Sequence, residues 1–293
     1  MINSIALDTS IRDKIKTDSI VIQNFKKVSL NLVIVPFLLL LIFFSYYLFS
    51  FDGSFVSTYV DSQKDMFLEL NEILSTYPNL AYNVTYLGDA RVMFPFIFIF
   101  LFVAPKLWEA LLTSSILTLI TSAILKHILA VPRPAAVMDM DTFTIMGRPN
   151  ILHTSLPSGH AMTAFMIITI LLFAFMPKKM VHRIYWTLFL ITIACIIGLS
   201  RVAVGAHYPG DVLFGACLGF IIAVIGINLN RNISWLYWMK LKKYYPIIFL
   251  ILMYWFYLIL MKTVKHNIPI FYFSLIALMF TFFSITKEYV KKN

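Results

Sequence analysis

Long stretches without a single charged side chain constrain this sequence more than any other feature. From Val28 to Phe51 no Asp, Glu, Lys or Arg interrupts a run of Leu, Ile, Val and Phe. A hydrocarbon layer about 30 Å thick needs roughly 20 such residues as a helix, because nothing inside it can satisfy an open backbone. Comparable runs follow at about Tyr82–Ala104, Leu107–Val131, His160–Met176, Ile184–Leu199, Val212–Leu229, Pro246–Met261 and Ile268–Ile285. Asp89 and Arg91 blur the start of the second run. The reading is eight spans, and the predicted fold class is an all-α polytopic membrane helix bundle. Composition agrees: 13% of residues are charged, against about 25% in soluble domains. The 16% aromatic content excludes a disordered chain.

An even number of spans puts both termini on one side. The N-terminal tail, Lys106, Lys178, Lys179, Arg183, the Arg231–Lys243 loop and the C-terminal tail then hold 16 of the 24 Lys and Arg. The other 8 are Lys64, Arg91, Lys126, Arg133, Arg148, Arg201, Lys262 and Lys265. Cytoplasmic loops collect cations, so the side with both termini is predicted cytoplasmic. The net charge of +10 is thus a topology signal, and no nucleic-acid partner is implied. Residues 1–27 form a polar cytoplasmic tail with no cleavable signal, so the first run is retained as an anchor. Residues 28–229 make a six-span core, and 230–293 add two spans and a short tail. Cys195 and Cys217 lie inside apolar runs and offer neither a disulfide nor a zinc framework.

The outer loop from Asp52 to Gly88 carries Val56, Tyr59, Val60, Phe67, Leu70 and Leu74 at roughly helical spacing, beside Asp61, Asp65, Glu69 and Glu72. This pattern predicts a helix resting on the outer face of the bundle or the membrane rather than one that docks a partner.

Three polar clusters fall at the predicted outer ends of spans three to six: Lys126 with Arg133, then Pro157-Ser158-Gly159-His160, then Arg201, His207 and Asp211. Lys126 and Arg133 are two helical turns apart, which is one face, but Pro132 and Pro134 should end the helix about there, so Arg133 is expected in the loop just beyond it. A cation within a span costs about 2.5–3.5 kcal/mol on insertion scales and so faces a partner or a wet cavity. Any one of the three could snorkel to headgroups. Three that converge with two histidines suit an oxyanion better, since guanidinium and ammonium groups match phosphate oxygens. Ser158 is a suitable N-cap, and Gly159 lets backbone N–H groups approach an anion at a helix N-terminus. His207 and Asp211 stand at i and i+4, so the carboxylate can hold Nδ1–H and leave Nε2 free as nucleophile or base. His160 is then the second histidine, able to protonate a leaving oxygen. The Asp139-Met140-Asp141 pair reads as a solvated acidic loop rather than a metal site.

Lys-x6-Arg-Pro, Pro-Ser-Gly-His and Ser-Arg-x5-His-x3-Asp, in this order, resemble the three signature motifs of the type 2 phosphatidic acid phosphatases, also called lipid phosphate phosphatases. Every defining position matches between Lys126 and Asp211, and the wider resemblance covers about Gly88 to Leu229. The resemblance implies that Lys126, Arg133 and Arg201 clamp a phosphate with Ser158 and the Gly159 N–H. It further implies that His207 forms a phosphohistidine, that Asp211 orients it, and that His160 protonates the leaving alcohol and then activates water. No metal or other cofactor is implied. The last two spans and the Ala135–Leu156 loop, with Arg148 and His153, depart from the family pattern.

The expected function is a lipid phosphate or pyrophosphate phosphohydrolase facing the outer leaflet, with the bilayer as its setting. Substrates left open are undecaprenyl pyrophosphate, phosphatidylglycerol phosphate, phosphatidic acid and lipid A phosphates. The abundant Ile, Phe and Lys suggest a bacterial inner membrane. A phosphotransferase would use the same residues with a lipid or sugar hydroxyl in place of water. A transporter or receptor would need the cations but not a nucleophile, and the related vanadium haloperoxidases are soluble. Neither the substrate nor the oligomeric state is legible in the sequence.

Overall fold

Helix ends are set where apolar runs meet a capping side chain or a proline. The structure, a computed structural model, describes residues 17–49 and 54–290, and among them every regular element is helical. Arg12, Lys14, Lys16, Lys291 and Lys292, the start of the outer loop at Asp52 and the end of the first predicted span lie outside the described residues. Helix α1 (17–25) leads through a 3-10 turn to α2 (Ile34–Phe49). There follow α3 (Phe55–Leu74), α4 (Pro78–Thr85), α5 (Ala90–Phe98), α6 (Phe100–Val103), α7 (Pro105–Leu129) and α8 (Pro134–Val137). The chain ends with α9 (Gly159–Ala174), α10 (Met180–Ala203), α11 (Pro209–Asn232), α12 (Tyr245–His266) and α13 (Pro269–Val290).

Among the described residues, six helices are long and apolar enough to cross a membrane. The other two predicted spans depart from a straight crossing for identifiable reasons. The second is a bent pair, Pro78–Gly88 and Ala90–Val103, whose axes meet at 59°. Asp89 caps the new helix by accepting the Arg91 N–H at 3.0 Å, so the chain turns at a charge. The fourth, α9, has only 16 residues. It lies inside the bundle with most of its side chains buried among α7, α10 and α11, where protein rather than lipid surrounds it. Conversely, α12 runs past its predicted end at Met261 because Lys262 pairs with Asp89 and does not face lipid.

Glycines fix how closely the central helices approach. A Cβ on Gly219 would stand 2.5 Å from the Met162 carbonyl oxygen, and one on Gly215 would stand 2.7 Å from that of Ser158. The Gly215-x3-Gly219 spacing therefore lets α11 lie directly on the backbone of α9, the packing that small-x3-small motifs permit in membranes. This contact draws the first turns of the two helices together.

The bundle has two distinct ends. At one, Asn24 Nδ2 donates to the Ala174 carbonyl at 3.0 Å, the Lys106 N–H donates to Asp18 at 3.0 Å, and Lys106 Nζ donates to the Asn230 carbonyl at 3.0 Å. Leu107, Trp108, Met166, Ile170 and Ile227 fill the core near these contacts. The other end is packed by Tyr59, Phe67, Leu156, Tyr208 and Val212, beneath α3 and the 135–156 loop. The α12–α13 hairpin is built into the bundle, since Ser274 Oγ donates to the Val92 carbonyl at 2.9 Å and Trp255 Nε1 to that of Arg91 at 2.8 Å.

Candidate active site

Helix α7 stops at Leu129 because Ala130 adopts the left-handed region (φ +45°) and Pro132 follows. Arg133 is consequently extended and off the α7 cylinder. Arg133 therefore sits in the loop just beyond the helix, as Pro132 and Pro134 predict, and the seven-residue spacing from Lys126 does not by itself put the two cations on one helical face. The loop returns Arg133 to the site by other means. Its N–H donates to the Leu152 carbonyl at 3.3 Å, Nη1 to that of Ala206 at 3.2 Å and Nη2 to that of Thr154 at 3.4 Å. The Ala206 bond holds the guanidinium beside the residue that precedes His207.

His207 lies in the turn between α10 and α11, and Asp211 in the first turn of α11, after Pro209 at the first helical position. His207 Nδ1 is 3.2 Å from Asp211 Oδ2. The same oxygen accepts Ser155 Oγ at 2.5 Å and the Tyr208 N–H at 2.9 Å, while Oδ1 accepts Tyr59 OH at 2.8 Å. Asp211 is 0% and His207 1% exposed. A buried carboxylate needs such a set of donors, and it holds the imidazole with Nδ1 as donor and Nε2 as the free nitrogen. Burial first, then Arg133, Arg201 and Lys126, push His207 well below the usual histidine range, so the ring is neutral. Burial and the adjacent Asp211 push Tyr59 upward, so it stays a donor.

The second cluster meets this pair through backbone. The Ser158 N–H donates to the Asp211 carbonyl at 3.1 Å, and Ser158 caps α9 by accepting from the Ala161 N–H. A Cβ on Gly159 would stand 3.6 Å from Lys126 Nζ, so the ammonium sits at the start of α9. His160, one residue on, backs onto the 85–89 turn, where a Cβ on Gly88 would be 2.8 Å from its own Cβ. From the last turn of α10, Arg201 Nη1 donates to Thr85 Oγ1 at 2.6 Å. Its Nε is buried with no partner among the described residues. An orphaned guanidinium donor is costly unless something anionic completes it.

Arg133, His160 and Arg201 line one cavity of about 230 Å³, together with Asp89, Tyr86 and Arg148. Of the two loop residues singled out in the sequence, Arg148 reaches this cavity, whereas His153 is exposed and away from it. All eight predicted site residues thus gather at one end of the bundle. Asp139 and Asp141 sit in an exposed 3-10 turn, where Asp139 Oδ1 accepts the Asp141 N–H at 3.1 Å. Among the described residues, no three His, Cys, Asp or Glu side chains gather as a ligand set for a metal ion.

Sequence reasoning missed Tyr59, Ser155, Thr85 and Asp89. Tyr59 was legible only as an apolar position of the outer-loop helix. That helix does cover the end of the bundle, but Tyr59 and Gln63 reach through to Asp211 and to the Gly210 N–H, the latter at 2.8 Å. Ser155, Thr85 and Asp89 carried no local signal, because each matters only through a contact far away in the chain.

Known proteins resemble the chain over this region. It is 28% identical over 180 residues to phosphatidylglycerophosphatase B of Bacillus subtilis (strain 168), which covers 56% of this chain and 77% of the relative. It is 30% identical over 128 residues to undecaprenyl-diphosphatase of Sulfolobus acidocaldarius, covering 43% of this chain and 57% of that one. A solved structure described as Aquifex aeolicus LpxE aligns with a TM-score of 0.47 at 26% identity, over 56% of this chain and 93% of that one. Residues 107–235 match the PAP2 superfamily model. That segment contains all eight gathered residues from Lys126 to Asp211.

Proposed function

We propose that this protein hydrolyses lipid phosphates or lipid diphosphates through a phosphohistidine, at the membrane face opposite both termini. The observation that carries the reading is the buried His207–Asp211 pair, set against Lys126, Arg133, Arg201 and the N-terminus of α9. In the first step Nε2 of His207 attacks phosphorus, the bond from phosphorus to the leaving oxygen breaks, and His160 gives that oxygen a proton. In the second, water loses a proton to His160 and attacks the phosphohistidine, which releases phosphate and restores Nε2. Asp211 stabilises the imidazolium character that develops on His207. Lys126, Arg133, Arg201, Ser158 and the Gly159 N–H neutralise the phosphoryl oxygens, and fixed donors of this kind supply most of the assistance in phosphoryl transfer.

The named relatives suggest where to look for the substrate: phosphatidylglycerol phosphate and undecaprenyl diphosphate first, then phosphatidic acid and lipid A phosphates. The test is release of inorganic phosphate from this panel by purified protein, with His207→Ala as control. Release that disappears in the variant is the expected result. Equal release by both proteins would overturn the reading, and a phosphorylated acceptor in place of free phosphate would make it a transferase. The 16 to 8 division of cations, with the site at the poorer end, supports a cytoplasmic location for both termini in a bacterial inner membrane.

A further inference from the structure

The turn that backs the site is held from outside by the C-terminal hairpin. Three residues of that turn touch the site directly: Thr85 accepts Arg201 at 2.6 Å, Gly88 lies against His160, and Asp89 lines the cavity that both share. Asp89 is almost fully buried and has two cationic partners. Arg91, on its own helix, bonds it at 3.2 Å but is 66% exposed. Lys262, from the far end of α12, reaches it at 2.8 Å and is only 23% exposed. The Lys262 ammonium also stands 5.7 Å from the ring centre of Tyr86, another residue lining the cavity. Thr85, Asp89 and Lys262 all lie outside residues 107–235.

We infer that Lys262 is a positioning residue for catalysis: it holds the Asp89 turn so that His160 and Arg201 keep their places. The physical reason is a competition. A buried carboxylate beside a guanidinium pairs with it unless another cation satisfies it first. With Lys262 present, Asp89 is paired with an ammonium that does not line the cavity, and Arg201 keeps its buried Nε for a phosphoryl oxygen. Without Lys262, Asp89 keeps only the Arg91 N–H that it caps and the exposed Arg91 side chain, and turns toward Arg201 and His160. The C-terminal pair of helices is in this way part of the active site's support, although it carries no motif.

This inference rests on the proposed roles of His160 and Arg201, and the experiment separates the two. Full-length protein in lipid nanodiscs is assayed as wild type, Lys262→Met, Lys262→Arg, Lys262→Met with Asp89→Asn, and His207→Ala. Rates are normalised to folded protein, on an alkyl phosphate lipid and on an aryl phosphate with an acidic phenol. A displaced catalytic group costs about 10²-fold, so Lys262→Met should lose about that in kcat/KM on the alkyl substrate. The loss should be several-fold smaller on the aryl one, which needs no proton from His160. Lys262→Arg should recover most of the rate, and so should the double variant, which removes the unpaired carboxylate. If Lys262→Met fails to accumulate, Lys262→Gln is assayed in its place on the same two substrates, with the same expected difference in loss. Wild-type rates for Lys262→Met on both substrates would overturn the inference, as would an equal loss on both that Asp89→Asn does not relieve. An active His207→Ala would instead overturn the functional reading itself.

Discussion

Tyr59 and Asp211 are 152 positions apart in the chain, and the phenol donates to the carboxylate at 2.8 Å with both side chains fully buried. The bond connects the outer-loop helix to the residue that holds His207. A hydrogen bond to a charged group contributes about 1.5–3 kcal/mol, and its loss leaves part of a buried carboxylate unsatisfied. Tyr59→Phe should therefore lower kcat about 10- to 150-fold while KM changes little. Ser155→Ala should act in the same direction, since it removes the donor at 2.5 Å from the other oxygen. A rate unchanged in both variants would show that the donors on Asp211 do not tune the nucleophile.

The two histidines should respond differently to the leaving group. His207→Ala should abolish phosphoenzyme and turnover on every substrate. His160→Ala should lose the 10²–10⁴-fold typical of general acid catalysis on alkyl phosphates and regain part of it on acidic phenols. The basis is positional: among the two, only His207 has a carboxylate at 3.2 Å, whereas His160 opens α9 beside Ser158 and Gly159. The measurement is rate against leaving-group pKa. Equal rescue of both variants, or phosphate trapped on His160, would reverse the assignment.

Burial and three neighbouring cations hold His207 well below the ordinary histidine value of about 6.5. The neutral, nucleophilic ring persists above its folded pKa and is lost only when pH falls through that lowered value. The acid limb of kcat/KM, corrected for ionisation of the substrate phosphate, should accordingly lie below pH 6.5. The unfolded chain takes up this proton nearer pH 6.5, so the same group should make the fold less stable as pH drops below that point. An acid limb at or above 6.5 would contradict the structure.

Close approach of α9 and α11 has no room for a side chain at Gly219. Gly219→Val places Cβ and its methyls on the Met162 carbonyl, 2.5 Å from the ideal Cβ position. Overpacking typically costs 1–3 kcal/mol, and here it also separates Ser158 from Asp211. Lower thermal stability in detergent should accompany lost activity. Wild-type stability with full turnover would show that the helices can part without consequence.

Cysteines placed in the 135–156 loop should react with an impermeant thiol reagent added to intact cells. Cysteines near Lys178 should react only after the membrane is opened. The expectation follows from the charge division, since Lys178 lies at the end shared by Asn24, Lys106 and Asn230. Labelling in the opposite sense would invert the proposed orientation.

Much of this molecule is determined locally, which is why it is legible in sequence. Apolar runs, Ser158 and Pro209 at helix starts, and prolines after α7 act within a few residues, so they predict an all-helical membrane bundle, the helix start that carries His160 and the turn before α11 that carries His207. The eight motif residues are legible for the same reason: each cluster is short and sits at a predicted helix end. Tertiary structure decided the rest, because the forces involved act between distant segments. The Gly215–Gly219 face means nothing until α9 lies on it, and Arg133 reaches the site through carbonyls of Ala206 and Thr154 rather than through helical spacing. The 59° bend makes Asp89 a buried wall of the site, and only the folded bundle brings Lys262 to it from 173 residues away. A buried charge takes its partner from whatever the fold sets beside it, and no local pattern encodes that choice.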